Sequence, residues 1–175
     1  MAIDTSRAFK PINIAVLTVS DTRGPDEDTS GDILAQRITD AGHKLAARTI
    51  VKDDADVIAA QLRAWIADPA IDAVVSTGGT GLTGRDVTPE ALDRVKTRDI
   101  PGFGEIFRLI SFNTIGTSTV QSRACAVVAD GTYIFALPGS NGAVRDGWDG
   151  ILAEQLDSRN RPCNFVELMP RLREV

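Results

Sequence analysis

The chain has 175 residues, of which 43% are hydrophobic and 25% charged, and its net charge is −5. This balance predicts one globular domain with its own core. No apolar run could span a bilayer, the first ten residues lack the apolar stretch of a targeting peptide, and no cluster of Lys and Arg suits nucleic acid, so we expect none of these three classes.

The first strand and the first helix are predicted within residues 12–42. Residues 12–20 form a short β-branched run that is typical of a buried parallel strand, and a polar turn, residues 21–30, follows it. A helix is then predicted, with Gly42 as its end and with an apolar face made of Leu34, Ile38 and Ala41.

The pattern of strand followed by helix repeats in the next segments. Residues 45–51 are predicted to form a second strand, and Asp53 and Asp54 are expected to begin a helix that ends before Pro69. Residues 72–77 are predicted to form the third strand. Thr88 and Pro89 are typical of the N-cap and first turn of a short helix, and residues 102–110 favour another.

The last third of the chain predicts a hairpin and a long helix. Residues 124–128 and 133–137 are expected to pair as antiparallel strands around Asp130-Gly131. Residues 141–156 have a helical apolar face. Alternating strands and helices indicate the α/β class, as a three-layer sandwich with a mostly parallel sheet.

Cysteine and histidine are too sparse for a zinc site. Cys125 and Cys163 lie far apart, and His43 is the only histidine. We expect reduced thiols in a cytoplasmic protein. His43 follows Gly42, and its expected role is to interact with the last carbonyls of the preceding helix.

The segment STGGTGLTGRDVTPE (residues 76–90) is the strongest candidate for a binding site, because ligands of open α/β sheets bind at the carboxyl ends of strands. Its glycines let backbone N–H groups close around an anion, and threonine hydroxyls add donors. Arg85 offers a cation for phosphate, and Asp86 offers a carboxylate for a metal. A plain glycine turn would explain the glycines but not the Arg-Asp pair, so we favour a phosphate site.

The same segment also satisfies the dinucleotide pattern G-x-G-x-x-G through Gly79, Gly81 and Gly84. That pattern should lead directly into a helix after the first strand, whereas this segment follows the third strand and a polar stretch intervenes. A nucleotide-linked oxidoreductase is therefore the weakest of the functions considered.

Three other strand ends allow two interpretations each. Asp53 and Asp54 could interact with a helix dipole or bind a metal, and Ser20-Asp21 could form a turn or contact a ligand. Ser140 could cap the last helix or bind a second phosphate. No serine or cysteine has the pattern of an activated nucleophile, so the residues suggest positioning of phosphates and neutralisation of their charge.

Several segments resemble the MoaB/MogA molybdopterin-binding family in order: TVSDTR (18–23), STGGTGLTGRDVTPEAL (76–92), PGFGEIFR (101–108), GTSTVQSRA (116–124) and ALPGS (136–140). GTSTVQSRA and QLDSRNRPCNF (155–165) resemble the MoaB branch in particular. The resemblance implies an N-terminal extension at residues 1–11, a molybdopterin-binding domain at 12–165 and a C-terminal tail at 166–175.

The resemblance also implies a molybdopterin adenylyltransferase, which transfers AMP from Mg-ATP to the terminal phosphate of molybdopterin and releases pyrophosphate. Asp86 and Asp53 match the two aspartates that matter in the reaction, and we assign both to Mg²⁺. The residues expected to bind the substrates are Ser20, Thr77, Gly78, Gly79, Thr80, Gly81, Arg85, Arg123, Pro138, Gly139 and Ser140.

Some MoaB-branch proteins lack the Arg-Asp pair that this chain keeps as Arg85 and Asp86. The alternative function is therefore a non-catalytic molybdopterin carrier or scaffold in the same pathway. The family further implies a homo-oligomer, a trimer or a hexamer. The apolar segment 103–115 is the candidate interface, because it carries more apolar residues than one small domain must bury.

Overall fold

The structure is a computed structural model that describes residues 3–174. Met1 and Ala2 of the expected extension and Val175 of the expected tail lie outside this range. Six strands form one sheet in the order β2-β1-β3-β6-β5-β4. They are β1 (Asn13–Val19), β2 (Lys44–Val51), β3 (Ala73–Thr77), β4 (Arg98–Asp99), β5 (Cys125–Ala129) and β6 (Thr132–Leu137).

The sheet is mostly parallel. β1 pairs in parallel with β2 and β3, and β3 pairs in parallel with β6, whereas β5 is antiparallel to β6 and β4. The predicted fold class is therefore confirmed. The hairpin between β5 and β6 turns at Asp130 and Gly131, which both have positive φ (44° and 87°), as its sequence predicts.

Seven α-helices cover the sheet within the described range. They are α1 (Thr29–Asp40), α2 (Ala55–Ile66), α3 (Thr88–Asp93), α4 (Pro101–Ile115), α5 (Asn141–Gly147), α6 (Ala153–Gln155) and α7 (Phe165–Leu168). Among residues 3–174, none of them is long and apolar enough to cross a membrane.

Two apolar clusters give the sandwich its three layers. Ile14 and Val16 of β1 pack on one side with residues of α1, α4 and α5, while Ala15 and Leu17 pack on the other side with α2 and α3. This alternation follows from the two-residue period of a strand. Both faces of the sheet are covered, which explains the continuous apolar runs in the sequence.

Three local predictions need correction. Val87 rather than Thr88 is the N-cap of α3, because the Thr88 hydroxyl donates instead to the carbonyl of Gly78 (2.9 Å). The helix predicted over residues 141–156 contains a π-helical turn at Trp148–Leu152. The ring of His43 faces inward and accepts a hydrogen bond from the Ile12 N–H (3.3 Å), so it does not contact the helix carbonyls.

Candidate functional site

The carboxyl ends of β1, β2, β3 and β6 meet at one edge of the sheet and surround a cleft of about 490 Å³. Thr18, Thr77 and Leu137 are aligned across β1, β3 and β6, so the loops after these strands begin side by side. We call it the glycine-loop cleft; it is lined by Val19, Ser20, Asp21, Thr22, Arg23, Asp53, Gly78, Gly79, Thr80, Gly81, Asp86, Pro138, Gly139 and Ser140.

All predicted site residues except Thr77, Arg85 and Arg123 line this cleft. The hydroxyl of Thr77 donates to the carbonyl of Pro138 (3.1 Å) and so holds two loops together. The sequence could not distinguish this structural contact from a ligand contact, because both use a hydroxyl at the end of a strand.

The glycine loop, residues 78–86, begins with two residues that only glycine suits. Gly78 and Gly79 have φ values of 105° and 65°. A Cβ at Gly78 would overlap the carbonyl oxygen of Val19, and a Cβ at Gly79 would overlap the Thr88 hydroxyl. The chain therefore passes closer to β1 and α3 here than any side chain would allow.

The donors of the glycine loop are only partly available for a ligand. The N–H of Gly78 donates to the carbonyl of Leu137 (2.9 Å), so this amide is not the anion donor that we expected. Within residues 3–174, nothing accepts from the N–H groups of Gly79 and Thr80. The buried hydroxyl of Thr80 also has no partner there. These three groups lie at the start of the loop and can donate to an anion.

Three carboxylates approach one another at the cleft, those of Asp21, Asp53 and Asp86. Burial and the charge of Asp21 raise the pKa of Asp53 above its ordinary value, and Asp86 adds to the effect. A backbone hydrogen bond from Asp21 acts in the opposite direction but does not outweigh these effects. Among those residues, no group of three or more His, Cys, Asp and Glu side chains could by itself hold a metal.

Asp86 is held in a different environment. Burial acts to raise its pKa, but hydrogen bonds outweigh burial and the net shift is downward. The backbone N–H and the hydroxyl of Thr83 donate to Asp86 Oδ2 at 2.9 and 2.6 Å. Asp86 is therefore oriented and stays ionised, whereas Asp53 carries a charge that its surroundings disfavour.

Arg85, which was expected to bind phosphate, forms a bidentate ion pair with Asp21. Its Nε lies 2.9 Å from Asp21 Oδ2 and its Nη2 lies 2.8 Å from Oδ1. The hydrogen bond from Arg85 is the main reason why the pKa of Asp21 is lowered. Most of the Arg85 side chain is exposed, and it does not line the cleft.

Arg123 lies outside the cleft and stabilises the glycine loop through hydrogen bonds to its carbonyls. Its Nε donates to the carbonyl of Gly81 (2.7 Å) and its Nη2 to the carbonyl of Asp86 (2.5 Å), while Nη1 pairs with Glu90 (2.5 Å). Its backbone N–H donates to the carbonyl of Thr80 (2.9 Å). The donors of Arg123 point at loop carbonyls and Glu90 in this structure, so its role as a phosphate contact stays a prediction.

Two residues with alternative interpretations act as helix caps. The Ser140 hydroxyl accepts from the N–H of Ala143 (3.2 Å) at the start of α5, and it also borders the cleft. Asp54 accepts from the N–H groups of Asp56 and Val57 at the start of α2. Asp54 is thus the capping residue of the Asp-Asp pair, and Asp53 is the one that faces the cleft.

Two cavities adjoin the glycine-loop cleft. The apolar chamber, of about 260 Å³, shares Thr80, Gly81, Pro138 and Ser140 with the cleft and extends between α4 and α5 to Asp146. The strand-edge groove, of about 630 Å³, shares Ser20, Asp21 and Arg23 with the cleft and extends along the end of β2. Arg23 was not among the predicted site residues, since only its place in the segment TVSDTR could have signalled it.

The arrangement suits two ligands that meet at a phosphate. The apolar chamber can take a flat ring, and the amides, the Thr80 hydroxyl and the carboxylates can hold phosphates and a divalent cation. Among the described residues that line the cleft, no nucleophilic side chain has an adjacent base.

Comparisons with known proteins show the family to which the chain is similar. Residues 15–158 match the family described as "Probable molybdopterin binding domain". The chain is 52% identical over 160 residues to Molybdenum cofactor biosynthesis protein B of Escherichia coli (strain K12), which covers 91% of this chain and 94% of that protein.

Solved structures show the same fold. A crystal structure of Molybdenum cofactor biosynthesis protein B has a TM-score of 0.83 and 39% identity, covering 86% of this chain and 94% of that one. The tungsten cofactor synthesizing protein MoaB from Pyrococcus furiosus has a TM-score of 0.75 and 36% identity, covering 84% of this chain and 94% of that one.

Proposed function

The chain belongs to the family of probable molybdopterin binding domains, and on this premise we propose that it is a molybdopterin adenylyltransferase. In this function it works in the biosynthesis of the molybdenum cofactor, as the names of its relatives indicate for those proteins. It binds molybdopterin and transfers AMP from Mg-ATP to the terminal phosphate of the pterin, with release of pyrophosphate.

The observation that carries this proposal is the combination of donors and carboxylates in one cleft. The unpartnered N–H groups of Gly79 and Thr80 and the buried Thr80 hydroxyl can bind a phosphate. Asp53 and Asp86 lie beside the same loop. A transfer between two phosphates needs donors for the anions and carboxylates for their metal, and it needs no nucleophilic side chain.

The carboxylates fit a magnesium ion. Mg²⁺ binds through one or two protein carboxylates, waters and substrate phosphates, so a pair of aspartates is sufficient. Asp53 is part-buried and repelled by Asp21 and Asp86, and the backbone hydrogen bond from Asp21 does not offset this, so a divalent cation would offset its unfavourable charge. Mg²⁺ held there would neutralise charge on the nucleotide phosphates.

The protein contributes position and electrostatics. A pterin phosphate oxygen attacks the α-phosphorus of ATP, the new P–O bond forms, and the bond to the β-phosphate oxygen breaks with its electron pair leaving on pyrophosphate. The attacking oxygen is already ionised at neutral pH, so no strong base is required. The amides of Gly79 and Thr80 hold the phosphates in line, and positioning supplies much of the rate.

The apolar chamber suits the pterin ring. It opens onto the glycine loop through Thr80 and Gly81, so a ring inside it can extend its phosphate to the loop amides. Asp146 is the acidic residue of the chamber, and the Ser111 hydroxyl lies 3.4 Å from its Oδ2. A carboxylate there can accept from the amino group and ring N–H of a pterin, as buried polar groups fix ligands in other pockets.

A non-catalytic molybdopterin carrier is the second candidate. The observation that favours it is that both arginines expected to bind phosphate are already paired, Arg85 with Asp21 and Arg123 with Glu90. A carrier would need less positive charge than an enzyme that brings two phosphorylated substrates together.

Binding and turnover measured together separate the two candidates. We expect molybdopterin binding, followed by pyrophosphate release that requires both ATP and Mg²⁺. Asp86→Asn should lower turnover about 100-fold or more, by analogy with the loss of one transition-state contact. Asp40→Asn, at an exposed position on α1, is the matched control and should leave turnover unchanged. Pterin binding without turnover would support the carrier instead.

A homo-oligomer is also part of the proposal. Ile106, Leu109, Phe112 and Ile115 lie along one side of α4 and are exposed, as is Val120 after it. A stripe of exposed apolar side chains is typical of a protein interface, and a second copy of the chain is the partner that we propose.

A further inference from the structure

The cleft needs positive charge that its predicted arginines do not supply. Two phosphorylated substrates repel each other, and the proposed reaction forms pyrophosphate beside them. Arg85 is neutralised by Asp21, and Arg123 is neutralised by Glu90 and points at backbone carbonyls. Beside the proposed Mg²⁺, a cationic side chain that is not already paired would favour the phosphates of the nucleotide.

Arg23 is the cation of the cleft lining that has no anionic partner. It is part-buried, and its Nη1 donates to the Ser30 hydroxyl and to the carbonyl of Gly139, both at 3.1 Å. Both acceptors are neutral, and no carboxylate within residues 3–174 forms an ion pair with Arg23. Its charge is held in place and is available to a ligand.

The position of Arg23 connects two cavities. Together with Ser20 and Asp21, it lines both the glycine-loop cleft and the strand-edge groove. Its guanidinium lies near Gly139, which in turn approaches the backbone of Gly78. A phosphate chain that begins at the glycine loop therefore passes Arg23 when it enters the groove.

A second cation lines the groove beyond Arg23. Lys52 follows β2, is exposed, and forms no ion pair with any described carboxylate. Arg48 also lines the groove, but Asp28 and Asp32 already neutralise it, at 2.7 and 2.6 Å. The two available charges, on Arg23 and Lys52, thus lie on the path that leads away from the glycine loop.

We propose that Arg23 and Lys52 form a subsite for the β- and γ-phosphates of the nucleotide, which leave together as pyrophosphate. The proposal rests on the adenylyl transfer argued above and names where its leaving group binds. As the bond between the α-phosphorus and the bridging oxygen breaks, negative charge grows on the pyrophosphate. A fixed guanidinium stabilises this charge through charge-assisted hydrogen bonds.

Pyrophosphate itself is the probe. Calorimetric titration of the purified protein with magnesium pyrophosphate should show binding, and Arg23→Gln should weaken it about tenfold or more, since a charged hydrogen bond is lost. Arg23→Lys should retain part of the affinity, because the charge remains. Lys52→Gln should weaken pyrophosphate binding by a smaller factor. Its side chain is exposed and forms no hydrogen bond or ion pair with the described residues, so this loss would not reflect misfolding.

Arg63→Gln is the matched control. Arg63 also donates to a backbone carbonyl, that of Arg94 (3.3 Å), and it lies on α2 outside both cavities. It should leave pyrophosphate binding unchanged. The proposal is overturned if the wild type does not bind magnesium pyrophosphate, or if Arg23→Gln and Lys52→Gln bind it as tightly as Arg63→Gln does.

Kinetic measurements distinguish a failure of the subsite proposal from a failure of the proposed function. Arg23→Gln should raise the KM for ATP and the inhibition constant of pyrophosphate, with molybdopterin affinity unchanged. If the wild type turns over and Arg23→Gln does so equally well at low ATP, the subsite is wrong and the proposed function stands. If pyrophosphate binds through Arg23 and no adenylylated pterin forms, the subsite stands and the proposed function is wrong.

Discussion

Asp53 carries the least favourable charge among the acidic side chains of the cleft whose pKa is shifted. Burial, together with the nearby carboxylates of Asp21 and Asp86, raises its pKa above the ordinary value of 3.8. The folded protein therefore holds a proton on Asp53 more tightly than the unfolded chain does, and the ionised carboxylate destabilises the fold at neutral pH. An unfavourable charge that is retained at a cleft is typical of a functional group.

The first prediction concerns this carboxylate and pH. A protonated Asp53 cannot bind Mg²⁺, so kcat/KM at limiting Mg²⁺ should fall on acidification at a pH above that of an ordinary aspartate. Asp53→Asn should lower turnover about 100-fold and leave the melting temperature unchanged or higher, because it removes the repulsion. A pH profile and a thermal melt check this. A variant that melts much lower than wild type would contradict the role assigned to the charge.

The second prediction concerns Arg123 as a positioning residue. Arg123→Gln removes its bonds to the carbonyls of Gly81 and Asp86, so the glycine loop and Asp86 should shift. Misplacement of a reacting group by about 1 Å can cost about 100-fold in rate, and we expect kcat to fall between about 10- and 100-fold, with a higher Mg²⁺ requirement. The measurement is kcat as a function of Mg²⁺ concentration.

Arg94→Gln is the control for Arg123, because it breaks an exposed ion pair with Asp56 (2.5 Å) away from the loop. Hydrogen exchange of the amides of residues 79–86 should accelerate in Arg123→Gln and remain unchanged in Arg94→Gln. Equal kinetics and equal exchange in the two variants would show that Arg123 does not position the loop.

At the residue scale, the sequence predicted which residues line the cleft more accurately than it predicted the contacts of each side chain. The glycines and aspartates were predictable because close backbone approach requires glycine, and paired carboxylates appear directly in the sequence. The partners of Arg85, Arg123 and Arg23 were not, since an arginine side chain reaches far and its partner depends on tertiary packing. Asp21 and Glu90 lie 64 and 33 residues from the arginines they neutralise.

The glycine loop is the element whose backbone is most constrained. Gly78 has a φ of 105°, and any Cβ there would overlap the carbonyl of Val19 in the neighbouring strand. The overlap involves backbone, which cannot rotate away. A glycine at position 78 is therefore required for the loop after β3 to lie against β1.

The third prediction follows from this overlap. Gly78→Ala should lower the free energy of unfolding by about 2 kcal/mol or more, through strain and displacement of the loop. Gly84→Ala lies in the same loop, and its new methyl group would meet no atom within 4 Å, so it should change the free energy of unfolding by no more than about 0.5 kcal/mol. Urea denaturation measures both. Similar losses in the two variants would contradict the constraint at Gly78.

Among the elements, the strands and helices with strong periodicity were predicted and the short or irregular ones were missed. β4 has only two residues, which is too few to show the alternation of apolar and polar residues that is typical of a strand. The π-helical turn at Trp148–Leu152 keeps its apolar residues buried, so its pattern resembles that of an α-helix. α4 extends to Ile115 because its exposed apolar residues continue the helical period beyond residue 110.

At the scale of the whole molecule, one surface remains apolar. The exposed residues of α4 repeat every three positions from Ile106 to Ile115, whereas Phe103, Phe107 and Ser111 on its other side are buried. One face of α4 thus packs on the sheet, and the other presents apolar side chains to solvent.

The fourth prediction is that this face mediates self-association. Light scattering after size exclusion should give the mass of a trimer or a hexamer, and Phe112→Asp should lower it, since a charge in an apolar interface is costly. Glu105→Asp, on an exposed position of the same helix, should leave the mass unchanged. A wild-type protein with the mass of one chain, 18.7 kDa, would contradict the proposed interface.

The central claim is that the cleft transfers an adenylyl group between two phosphates. Mass spectrometry of the pterin after incubation of the purified protein with molybdopterin, ATP and Mg²⁺ tests it most directly. The account predicts adenylylated molybdopterin in amounts that match the pyrophosphate released, and its loss in Asp86→Asn. Pterin that stays bound but unmodified at saturating ATP and Mg²⁺ would contradict the account.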